Sequence, residues 1–132
     1  MHIKTVLGHA EVARLLAAAR QEALSQNWAV SIAVVDDGGH PLALERLDGS
    51  SPASAYIAME KARTAALGRR ESRDYEQMVN GGRTAFVTAP LLTSLEGGVP
   101  VRVDGQVVAA IGVSGVKAEQ DAQVAKAGVA GL

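Results

Sequence analysis

The stretch Gly97–Gly115, GGVPVRVDGQVVAAIGVSG, decides the fold. Val99 to Val103 alternates apolar and other residues, with Arg102 as the polar interruption. Asp104-Gly105 follows, a dipeptide that accepts the positive φ angles of a type I′ hairpin turn. The return run, Gln106–Val113, carries no charge. A strand with one wet face alternates, and this one does not, so it reads as a central strand covered on both faces. Ala109, Ala110 and Gly112 are small, which predicts close approach of a covering helix.

Outward from this hairpin, Lys117–Val129 reads as a helix with Glu119 and Asp121 in its first turn and Ala118, Ala122, Val124, Ala125 and Val129 as packing positions. Upstream, Ala29–Val35 is a β-branched strand, Asp36–Pro41 is turn chemistry, and Leu42–Leu47 returns. Between the two hairpins, Ser51 is placed to cap a helix with Pro52 at its first position, running to Leu67 with Gly68 beyond its end. Its inward face is Ser54, Ala58, Ala62, Ala65 and Ala66. Ser72 is expected to cap a short helix ending at Asn80-Gly81-Gly82. Residues 83–96 stay open: Phe86 and Val87 can close a short helix, and Leu91-Leu92-Thr93 can form an edge strand. An opening helix from about Gly8 has Glu11 in its first turn and an apolar stripe of Val12, Leu15, Leu16, Ala19 and Ala23. Antiparallel hairpins with intervening helices indicate an α+β fold.

The 132 residues fit one domain, 1–132, able to bury roughly 65–70% of its unfolded surface. A net charge of −1 argues against a nucleic-acid partner. Without cysteine there is no disulfide, thiolate metal site or cysteine nucleophile. No signal peptide or membrane-length apolar run is visible, so the reading is a soluble, cytoplasmic protein. Aromatics make up only 3% of the chain, so the core must pack by close approach of elements.

Candidate chemistry is sparse. Gly112-Val113-Ser114-Gly115-Val116 has its second glycine one residue too early for a nucleophile elbow, and Ser114 is expected to cap the following helix. Backbone N–H groups near Gly115 and Val116 can hold a carboxylate or phosphate. His2, His9 and His40 make no metal-binding cluster, though one histidine suffices as an axial haem ligand. Arg46 and Lys61 can grip a small carboxylate or propionate. The competing reading is ion pairing with Glu45, Glu60 or Asp48. The candidate ligand site is Arg46 and Lys61, closed by the Gly97-Gly98 loop and the Ser114-Gly115 helix start, with no metal. No nucleophile, base and orienting group can be named together, which favours binding over catalysis.

Several segments resemble the GlcG/HbpS family, which includes the C-terminal domain of PduO-type proteins. They are Val30–Ser50 (VSIAVVDDGGHPLALERLDGS), Met59–Ala65 (MEKARTA), Gly97–Gly115 and Glu119–Gly128 (EQDAQVAKAG). The resemblance covers nearly the whole chain. It implies a profilin-like α-β-α domain with a five-stranded antiparallel sheet and helices on both faces. It also implies a homo-oligomer, haem as a possible cofactor, and a bacterial catabolic or cofactor-related operon. Two functional classes follow: an oligomeric small-molecule-binding protein, or an enzyme acting on haem or a small acidic intermediate. The family's usual three-glycine run is here Gly97-Gly98-Val99, and Val116 follows the Ser-Gly pair. For the oligomer, helix 1 and the C-terminal helix offer small apolar positions suited to symmetric contact.

Overall fold

The computed structural model describes all residues, 1–132. Helix α1 (His9–Ser25) leads to strands β1 (Ser31–Asp36) and β2 (Pro41–Arg46), then helices α2 (Pro52–Gly68) and α3 (Arg73–Asn80). A 3-10 turn, Thr84–Thr88, precedes β3 (Gly98–Val103), β4 (Gln106–Ser114) and helix α4 (Ala118–Ala130). The four strands form one antiparallel sheet in the order β2-β1-β4-β3. The uncharged run is therefore central, as its composition requires. Asp104 and Gly105 take φ of 51° and 78°, the two positive angles of the expected turn.

Each central strand splits its side chains between two cores. Ile32 and Val34 of β1, with Ala109, Ile111 and Val113 of β4, face α1 and α4. Leu15 and Ala19 from α1 and Val124 and Ala125 from α4 complete that core. Ala33, Val35 and Ala110 point to the other face, where α2 covers them with Ala58, Ala62, Ala65 and Ala66. That second core is almost wholly alanine, so α2 lies close to the strands. A Cβ on Gly112 would stand 2.1 Å from the Ala58 carbonyl oxygen and 2.4 Å from the Ala62 nitrogen. No helix is long and apolar enough to cross a membrane.

The structure departs from the sequence reading in five places. The sheet has four strands, not five. Leu91-Leu92-Thr93 is not a strand: Leu91 has φ 64°, and the Thr93 N–H donates to Thr64 Oγ1 on α2 at 2.7 Å. Pro90 has no N–H to give a ladder. The segment is thus held over α2 rather than along the sheet edge. Ser114 does not cap α4, since it is the last residue of β4 and Lys117 occupies the cap position. Ser72 precedes α3, but its hydroxyl accepts from the Gly98 N–H at 2.8 Å instead of capping the helix. Finally, the apolar stripes of α1 and α4 pack on each other and on the sheet, so they are spent inside the protomer.

Arg20 of α1 reaches the β2 edge, with Nε 2.5 Å from Glu45 Oε1 and Nη2 3.1 Å from Oε2. The bond and the carboxylate's charge together hold the guanidinium pKa above its ordinary value. Both side chains are about one-third exposed, so water screens the pair. Arg20→Ala should cost no more than about 1 kcal/mol by denaturant melting. A loss of several kcal/mol would mean that the pair anchors α1.

Candidate functional site

A lysine in the alanine-rich face of a helix needs a partner, because a buried ammonium alone is costly. Lys61 is 4% exposed and finds that partner in Asp121 of α4. Lys61 Nζ lies 2.8 Å from Asp121 Oδ2 and also donates to the Val113 carbonyl at 3.0 Å. The Val116 N–H donates to Asp121 Oδ1 at 3.1 Å. One ion pair thus joins α2, the end of β4 and the start of α4. Burial pushes the Asp121 carboxyl above the ordinary aspartate value, and the bonds from Lys61 and Val116 recover only part of that.

The Gly97-Gly98 loop closes over this pair. Gly97 has φ 132°, and a Cβ there would lie 2.9 Å from Lys61 Cδ and 2.7 Å from the Val113 oxygen. A Cβ on Gly98 would lie 2.1 Å from the Lys61 carbonyl oxygen. These glycines therefore admit α2 and the Lys61 stem. Ser72 and Gly98 bond through both backbone and hydroxyl, which fixes the loop.

Of the expected site residues, Lys61, Gly97, Gly98 and Ser114 come together. Gly115, φ 142°, packs against the Ala29 carbonyl at the entry to β1. Arg46 lies on β2 opposite Ser31, which in turn is opposite Ser114 on β4. Two strand spacings, about 10 Å, separate Arg46 from the Lys61 end. Arg46 makes no ion pair, and its Nε donates to the Ser50 carbonyl at 3.2 Å. Lys61 pairs with none of Glu45, Glu60 and Asp48. Glu60 pairs instead with Arg63 and Glu45 with Arg20.

Asp121 is the residue that sequence reasoning missed. Its signal was present: a lysine among alanines predicts a buried carboxylate, and an aspartate in the first turn of α4 was the available one. No cleft in the molecule is lined by Lys61 or Asp121. The pair acts as a lock between elements rather than as a reactive group facing a ligand.

The end of β1 holds a second carboxyl with a shifted pKa, Asp36. Burial pushes the Asp36 carboxyl up, but N–H bonds from His40 and Gly38 and the His40 ring outweigh it and hold it below the ordinary value. A depressed folded pKa stabilises above the unfolded value, 3.8, and that stability is lost as pH falls through the folded value. Asp36→Asn should therefore melt below wild type at neutral pH, with the two curves converging in acid. Melting curves that stay parallel from neutral pH to about pH 2 would contradict this linkage.

Residues 7–130 match the family model described as haem degrading protein HbpS-like. The chain is 64% identical over 114 residues to Protein GlcG of Escherichia coli (strain K12), covering 86% of this chain and 85% of that one. A double mutant of HbpS from Streptomyces reticuli has TM-score 0.90 at 33% identity, covering 100% of this chain and 90% of that chain. A PduOC–haem complex has TM-score 0.87 at 23% identity, covering 97% and 96%, a likeness of fold. With nearly its whole length inside the family model, the chain belongs to the HbpS-like family, the GlcG/HbpS family that its motifs resemble.

Proposed function

We propose that this chain is an oligomeric, non-catalytic small-molecule-binding protein, with haem as the first ligand to test. Membership of a family described by haem degradation carries the ligand class. Binding is preferred to turnover because the one buried charged pair, Lys61–Asp121, faces no cleft and is already satisfied.

Haem needs an apolar slot and an axial ligand. The cleft of Leu24, Asn27, Trp28, Ala29, Leu47 and Asp48, about 300 Å³, is mostly apolar but has no histidine, methionine or tyrosine. The cleft that contains His2 has only one apolar lining residue. A single chain therefore does not fit haem, and in this reading a second protomer completes the site. The unpaired edge of β2 leaves Leu42 and Leu44 43% and 49% exposed, and Tyr56 on α2 is 78% exposed. Such surface suits a further protomer. Arg46 is the free cation for a propionate. Lys61, engaged with Asp121, acts behind it by holding the Gly97-Gly98 loop beside Ser114 and Gly115.

The test is haemin titration of purified protein, followed by absorbance, with mass read by light scattering. Saturation is expected with fewer haems than chains in a species larger than 13.6 kDa. Arg46→Ala should weaken binding by about 1.5–3 kcal/mol and leave melting unchanged. Saturable binding to a monomer, or none at micromolar haemin, would remove the shared-site reading.

A further inference from the structure

The opposite end of the sheet carries a different cleft. It is open, about 400 Å³, and assembled from five separate parts of the chain. His2 and Lys4 come from the N-terminal lead, Asp37 from the β1–β2 turn, Arg69 from the end of α2, Arg102 from β3 and Val107 from β4. Three permanent cations face one carboxylate here, in a chain whose overall net charge is −1. Asp37 is shared, with Lys4 Nζ at 3.1 Å and Arg69 Nη2 at 3.9 Å. Arg102 has no carboxylate partner, and its Nη2 donates to the Arg69 carbonyl at 2.8 Å.

The cations are held in place by backbone. Arg69 Nη1 donates to the Asp37 carbonyl at 2.5 Å and to the Ala66 carbonyl at 2.8 Å. Arg69 itself ends α2 at φ 56°, ψ 32°, a left-handed conformation disfavoured for a residue with a side chain. Strain of this kind persists where surrounding contacts over-determine it. The result is two guanidinium groups brought together with donors to spare, and planar forks of this type match carboxylate and phosphate oxygens. Val107 is the only apolar lining residue, which suits a small polar ligand rather than a flat apolar one.

We infer that this cleft is a binding site for a small dianion, with Arg102 as its principal grip and Lys4 and Arg69 beside it. The chemistry is shared by phosphate esters and short dicarboxylates. The inference is independent of haem, since the two sites lie at opposite ends of β3 and β4.

The test is calorimetric titration at low salt with inorganic phosphate, succinate and, as a monoanion control, acetate. Saturable binding is expected for at least one dianion and much weaker binding for acetate. Tighter phosphate binding assigns the cleft to phosphorylated ligands, and tighter succinate binding assigns it to dicarboxylates. Arg102→Ala, at an exposed position, should fold with unchanged melting and bind about tenfold more weakly. Arg102→Lys should recover only part of that loss, because an ammonium lacks the fork. The site falls if neither dianion saturates, or if Arg102→Ala and Arg69→Ala both bind within about twofold of wild type.

Discussion

Lys61→Met is expected to destabilise the protein by about 3–5 kcal/mol at neutral pH, the cost of leaving a buried charge without its partner. Asp121 is only 2% exposed and would keep just the Val116 N–H. For a domain of this size the melting temperature should fall by roughly 10–20 °C. The pH dependence has a definite sign. Asp121 titrates above its ordinary value when folded, so protonating it stabilises the fold, and that gain is lost as pH rises through the folded value. Without Lys61 the carboxyl shifts further up, and the variant should regain part of its deficit as pH falls toward the unfolded value, 3.8. The double variant Lys61→Met/Asp121→Leu removes both charges and should melt well above Lys61→Met alone. If the single variant melts within about 1 kcal/mol of wild type, the pair is not a buried lock.

Gly112→Ala is expected to be nearly as damaging, although it adds a single methyl group. That methyl meets backbone on two sides, Ala58 O and Ala62 N, and backbone cannot rotate away. Overpacking of a tight core costs about 1–3 kcal/mol and occasionally more, and this site belongs at the upper end. The same change at Gly105, where nothing lies within 4 Å, should cost only about 1 kcal/mol for its positive φ. Chemical denaturation of the two variants side by side checks the contrast. Equal losses would mean that α2 can lift from the sheet.

The sheet's centre was legible because burial on both faces removes every charge from a strand, and Gln106–Val113 has none. Alanine-for-volume packing was legible too, since a core with few aromatics must bring its elements close. The edge was not. Leu91-Leu92-Thr93 has strand-like composition, but Pro90 and the left-handed Leu91 turn it onto α2, and one hydroxyl, Thr64, takes the donor a ladder would need. Composition cannot register a competing partner from another element. The site was half legible. Lys61 was recognisable as out of place among alanines, and the Gly97-Gly98 loop as the segment that closes over it, though the glycines make room for α2 and the Lys61 stem rather than for a ligand. Its partner lies 60 residues later, and only the fold brings the two within bonding distance. Arg69 and Arg102 read as ordinary charges in the sequence, because what distinguishes them is the cleft they share.

The pairing of β1 with β4 has a consequence for the order in which the chain acquires structure. The central pair joins Ser31 to Ser114, and α1 finds its mate α4 only after every other element has been made. Contacts of such long sequence separation slow folding, since the loop must close before they reward it. On a ribosome, the first hairpin and α2 would emerge with one edge of β1 still lacking β4 and the α1 side of the sheet still lacking α4. The nascent chain should therefore stay sensitive to protease until α4 has cleared the exit tunnel, then become resistant in one late step.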